Sequence, residues 1–97
     1  MKNSKLIISK QAIEDLTDIW SHIALDNYDA ADSFTDKLYE SCKILTKMPE
    51  MGRSRDELLP GLRSLTYKGY IIFYHIGNQK IEITRVLNGC MDVDSIF

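Results

Sequence analysis

Cysteine, proline, phosphate-binding loops and unbroken apolar stretches are all scarce in this chain. Two cysteines among 97 residues, Cys42 and Cys90, are too few for a disulfide framework, and no Cys or His pairs stand at zinc-type spacing. No apolar run approaches the 18 residues a membrane span needs, and no basic segment leads into an apolar one at the start. The chain therefore reads as a reduced, cytoplasmic protein with neither a metal nor a membrane. Excess positive charge is missing as well. Twelve Lys and Arg face fourteen Asp and Glu, a net charge of −2, the wrong sign for a domain that grips nucleic acid through its phosphates. Direct, specific nucleic-acid binding by the free chain is disfavoured. The glycines form no phosphate-cradling motif, so no nucleotide cofactor is indicated, and no other cofactor is either.

The residues present describe an ordinary globular domain, 44% hydrophobic and 27% charged, and residues 1–97 are read as one domain. All four arginines, Arg53, Arg55, Arg63 and Arg85, lie in the second half. Leu6-Ile7-Ile8 is a short strand, and Ser9 stands where a helix N-cap belongs. From Lys10 to about Leu25, Ile13, Leu16, Ile19, Trp20 and Ile23 recur at three- and four-residue steps, an amphipathic helix. After a break at residues 27–29, where Asp29 is the expected cap, Ala31, Phe34, Leu38, Cys42 and Leu45 form a second apolar stripe. That helix is stopped by Met48-Pro49. Residues 49–61 hold both prolines and no period, and read as a long connection. Three strands, 62–67, 70–76 and 80–87, follow as an antiparallel meander, separated by Lys68-Gly69 and Gly77-Asn78-Gln79. The middle strand is apolar on both parities and is placed centrally. The fold expected is α+β, an N-terminal strand and helical hairpin packed on an antiparallel sheet.

Few residues suggest chemistry. Alternation puts Arg63 with Leu65 and Tyr67, and Arg85 with Ile81, Ile83 and Leu87, so two charges interrupt apolar rows. Each either meets an anion or acidic partner, or pairs with an acid such as Asp56, Glu57 or Asp92. His75 lacks a nucleophile nearby and reads as structural. His22 shares a helix face with Asp15 and Asp18, which reads as solvated. Cys42 falls on the core stripe, and Cys90 lies in a tail. Trp20, Tyr28, Phe34 and Tyr39 exceed what one helix face of a small core encloses, which points to a partner surface. Ile96-Phe97 is an apolar pair that a frayed terminus has no use for; it either folds back on the sheet or reaches a target. From the residues alone this is a binding domain, with no catalytic group assigned.

Taken in order, Ala12-Ile13-Glu14-Asp15-Leu16 with Ile19-Trp20, Ala30-Ala31 with Phe34, Pro49-Glu50-Met51-Gly52-Arg53 and Asp56-Glu57-Leu58 resemble the ParE toxins of type II toxin-antitoxin pairs, within the RelE/ParE superfamily. Pro60-Gly61-Leu62-Arg63, Tyr70-Ile71-Ile72-Phe73-Tyr74, Arg85-Val86-Leu87-Asn88-Gly89-Cys90-Met91-Asp92 and Ile96-Phe97 extend the resemblance over essentially the whole chain. The family usually places His where Asn88 stands here. The resemblance implies a non-enzymatic toxin that binds DNA gyrase, holds its cleaved-DNA state and blocks replication. It also implies a hetero-oligomer with a cognate ParD-like antitoxin. Target contacts are then expected at Arg63, Arg85, Met91, Asp92, Ile96 and Phe97, and antitoxin contacts at Ile19, Trp20, Ile23, Tyr28, Phe34 and Tyr39. The alternative is a RelE-type, ribosome-dependent mRNA endonuclease using Arg63 with Tyr67, Lys68 or His75, although the lysines expected just before that arginine are replaced by Gly61-Leu62. A third reading is a degenerate toxin retained as an antitoxin-binding co-regulator.

Overall fold

The computed structural model describes residues 4–97. Strand β1 (Lys5–Ile8) is followed by helices α1 (Lys10–Ala24) and α2 (Tyr28–Leu45). Strands β2 (Arg53–Ser54), β3 (Leu62–Tyr67), β4 (Tyr70–Gly77) and β5 (Lys80–Asn88) come next, and a 3-10 turn at Val93–Ser95 ends the chain. The five strands form one sheet in the order β1-β5-β4-β3-β2, so β4 is central as its two apolar parities require. All neighbours are antiparallel except β1, which runs parallel to β5.

Ser9 joins the first strand to the first helix. Its Oγ accepts from the Ala12 N–H at 3.0 Å, filling one of the orphan donors of α1, and donates to the Thr84 carbonyl at 2.8 Å. The cap thus sets where α1 leaves the sheet. The second cap is Asn27 rather than the expected Asp29: its Oδ1 accepts from the Ala30 N–H at 3.0 Å. Asp29 instead lies in the first turn, where a carboxylate suits the positive end of the helix dipole. Helix α2 stops at Leu45, three residues before Met48, because its end is closed by the side chain of Thr46, which donates to the Lys43 carbonyl.

The helices cover one sheet face. Ala12, Ile19, Leu38, Cys42 and Leu45 pack with Ile72, Tyr74, Ile81, Ile83 and Val86, while Leu16, Ile23 and Phe34 close the margin. Each fully buried Leu or Ile here contributes about 1.5–3 kcal/mol. Ile13, read as part of the apolar stripe, is instead 53% exposed; it lies on the outer side of the hairpin, beyond the sheet's reach. The opposite sheet face carries a second cluster, Leu62, Phe73 and Leu87, covered by Leu58 and the tail residues Val93, Ile96 and Phe97.

Two features depart from the sequence expectation for β structure. The connection 49–61 is not featureless: Arg53 and Ser54 pair with Ser64 and Arg63, a two-residue edge too short to show a period. Gly52 makes this approach feasible, because a Cβ there would lie 2.6 Å from both the Ser64 carbonyl oxygen and the Tyr74 hydroxyl. The second is a bulge. Phe73 pairs with Arg85 while Tyr74 pairs with Ile83, leaving Thr84 as the extra residue and shifting the parity of β5 by one. Val86, not Leu87, therefore joins Ile81 and Ile83 in the helix-side cluster, and Leu87 turns to the other face. The Lys68-Gly69 turn behaves as its sequence suggests, with φ positive at both residues (44° and 87°).

Candidate functional site

Both interior arginines have internal partners. Arg85 meets Asp15 of α1 through two charge-assisted bonds, Nε to Oδ2 at 2.8 Å and Nη2 to Oδ1 at 2.9 Å. Asp15 Oδ2 also accepts from the Val86 N–H at 2.9 Å, a backbone donor next to the bulge. The carboxylate raises the Arg85 pKa above its already high ordinary value, the hydrogen bond being the main cause. The acids considered from sequence, Asp56, Glu57 and Asp92, are not its partners, and Asp15 is not on a solvated face. The pairing was invisible in sequence because it depends on the α1–β5 packing.

Arg63 projects on the helix side of β3, opposite Tyr74, and donates to the carbonyls of Glu50 and Gly52. Tyr74 serves the same loop: its hydroxyl donates to the Pro49 carbonyl at 2.6 Å and accepts from the Gly52 N–H at 3.0 Å. Arg63 is thus a clasp for residues 49–52. The other groups of the nuclease reading do not converge on it. Tyr67 packs against Phe34, with ring centroids 5.8 Å apart, and Lys68 lies 5.8 Å over the Tyr67 ring. His75 pairs across the ladder with Leu62 of the second face, and its Nδ1 lies 3.0 Å from Thr84 Oγ1.

A shallow recess of about 390 Å³ does gather several residues singled out in sequence. Arg85 and Met91 line it with Asp18, Ile19, His22 and Asn88. Asp92 is exposed beside Met91. Ile96 and Phe97 fold back on the sheet: the Phe97 ring packs against Phe73 at a 58° tilt with centroids 4.8 Å apart, and Arg55 lies 5.6 Å over the same Phe73 ring.

The residues expected to meet an antitoxin divide into two groups. Ile19 is buried, and Ile23 and Phe34 are packed into the helix-side core. Trp20 is half-buried, its indole N–H donating to Asp32 at 2.7 Å and its ring 5.8 Å from that of Tyr28. Tyr28 and Tyr39 are exposed. A groove lined by Ile13, Leu16, Thr17, Trp20 and Thr35 runs between the helices on their outer side. A second lies between α2 and the free edge of β1, lined by Leu6, Tyr39, Ile44 and Lys47 among others. Ile13, Leu25 and Ile44 are exposed as well, and hydropathy alone does not mark them as surface residues, since an apolar residue at a helix margin reads as core. Among the described residues no group of His, Cys, Asp or Glu is placed to hold a metal, and no helix is long and apolar enough to cross a membrane.

Residues 6–93 match the family model described as ParE toxin of type II toxin-antitoxin system, parDE. The chain is 32% identical over 95 residues to a Mycobacterium tuberculosis protein named Toxin ParE1, covering 95% of this chain and 96% of that one. It is 35% identical over 49 residues to Toxin ParE3 of Caulobacter vibrioides, about half of each chain. Among solved structures, one from a chromosomal ParDE toxin-antitoxin system of P. aeruginosa superposes with a TM-score of 0.76 at 24% identity, over 88% of this chain and 95% of that one. One from a Mycobacterium tuberculosis RelBE2 toxin-antitoxin complex superposes with a TM-score of 0.62 at 20% identity, over 90% and 99%. Both share the fold described above.

Proposed function

This chain belongs to the ParE toxin family of type II toxin-antitoxin systems, and we propose that it arrests cells by binding DNA gyrase and is held inactive by a ParD-like antitoxin. The observation that carries a binding role over an endonuclease role is the internal engagement of both arginines. Phosphodiester cleavage through a 2′-hydroxyl needs cationic and proton-transferring groups converging on one phosphate. Here Arg63 holds the 49–52 loop, Arg85 holds α1, and His75 belongs to the other sheet face. The net charge of −2 argues the same way for a protein that has to work on a ribosome.

The antitoxin is the partner that the exposed apolar grooves of the hairpin suit. A disordered tail that folds on contact gains from the outer groove at Ile13 and Trp20 and from the free β1 edge beside Tyr39. Solved relatives of the same fold come from toxin-antitoxin systems, which supports a partner of this kind. Expression of the chain alone is expected to arrest growth, and co-expression of the small protein encoded beside it to restore growth. Unimpaired growth on expression alone would overturn the toxin reading.

A further inference from the structure

Between Lys10 and Lys37 the chain contains seven acids and no Lys or Arg, and this stretch folds into α1, the helix connection and the start of α2. Asp15 is neutralised by Arg85; Glu14, Asp18, Asp26, Asp29, Asp32 and Asp36 are exposed and form none of the ion pairs found among the described residues. In the middle of them stand two large apolar side chains. Leu25 is 83% exposed and Tyr28 69% exposed, the two most exposed large hydrophobics among the described residues. They serve no internal core.

The connection that presents them is ordered by its own hydrogen bonds. The N–H groups of Asp26 and Asn27 both donate to the Ile23 carbonyl at 3.1 Å, and Asn27 caps α2. Tyr28 leans on Trp20, whose indole is fixed by Asp32. A preorganised tip bearing a rigid aromatic loses little entropy on binding, the property of an interface anchor. Its small size suits insertion into a cleft of a large folded partner better than the wrap of a disordered tail. Its charge selects a basic cleft, and an enzyme that holds DNA carries basic surface.

Resting on the gyrase reading above, we infer that the α1–α2 tip is the contact with that target, Leu25 and Tyr28 entering an apolar cleft whose basic rim faces Asp26 and Asp29. Tyr28, expected from sequence to meet the antitoxin, borders the outer groove through Trp20, whereas Leu25 lines neither groove. Binding of the full-length chain to gyrase holoenzyme tests this, with the wild type beside Leu25→Ser and Asp26→Lys. Both substituted positions are exposed, so circular dichroism and Tm should be unchanged. Each variant is expected to bind gyrase at least tenfold more weakly while keeping the antitoxin, and rising salt should weaken the wild type more steeply than Asp26→Lys. Variants that bind gyrase like the wild type, or that lose the antitoxin, overturn the assignment of the tip alone. A wild-type chain that binds no gyrase overturns both this assignment and the reading beneath it.

Discussion

Asp15 and Arg85, seventy residues apart in sequence, form a two-pronged ion pair that also captures the Val86 N–H. The pair sits 12% and 23% exposed at the point where the β5 bulge meets α1, so it fixes how the hairpin sits on the sheet. Removing either side leaves a partly buried charge without its partner. Asp15→Ala also orphans a backbone donor, and is expected to cost ~2–4 kcal/mol against ~1–3 kcal/mol for Arg85→Ala. Urea denaturation of both singles and the double variant checks this. Additive losses would show the two side chains uncoupled.

Arg63→Ala is expected to loosen the 49–52 loop and lower stability by about 1–2 kcal/mol, with gyrase inhibition retained by the protein that remains folded. Thermal melts alongside supercoiling assays at low temperature separate the two effects. Cleavage of message at the ribosome by the wild type that is lost in a fully folded Arg63→Ala protein would favour the endonuclease instead.

How far the fold was legible depended on how many residues carried each signal. The helices rest on stripes of five apolar residues each, and β4 on seven consecutive residues, so these elements and the central place of β4 followed directly. Single-residue features did not follow. The extra residue Thr84, the cap at Asn27 and the pairing of Arg53-Ser54 with β3 leave no periodic trace. The site was less legible still. Charge interrupting an apolar row marks Arg63 and Arg85 in the sequence, but their partners, two backbone carbonyls and Asp15, are set by tertiary packing.

The tail gives a stability prediction. Phe97 is half-buried, its ring packed at a tilt against Phe73, so Phe97→Ala should cost about 1–2 kcal/mol and lower Tm by roughly 5–10 °C. Scanning calorimetry checks it. An unchanged Tm with lost gyrase inhibition would assign Ile96-Phe97 to the target instead.

The thiols should differ sharply in reactivity. Burial pushes the Cys42 thiol up to about 12, whereas Cys90 is exposed in the turn after β5. The native protein should therefore react with one equivalent of a disulfide reagent at pH 8, at Cys90, and with a second only on unfolding. Two equivalents in the native state would contradict the buried position of Cys42.

Stability should also fall in acid through the loop after β2. The Gly61 N–H donates to Asp56 at 2.8 Å, and this bond, with help from Ser54, holds the Asp56 carboxyl below the usual carboxylate range; Arg55 does the same for Glu57. With folded values below unfolded ones, their contribution is present above about pH 4 and lost as pH drops through the lowered values. Asp56→Asn should flatten this loss between about pH 4 and pH 2, read from urea midpoints across that range. An unaltered profile would show that Asp56 does not contribute to the acid sensitivity.

On the proposed reading the chain disables its target by binding rather than by cutting RNA. Purified chain incubated with gyrase and relaxed plasmid, in parallel with translating ribosomes, tests it most directly. Loss of supercoiling with accumulation of cleaved plasmid and intact message is the predicted result, reversed by the antitoxin. Message cut at the ribosome with gyrase fully active would contradict it.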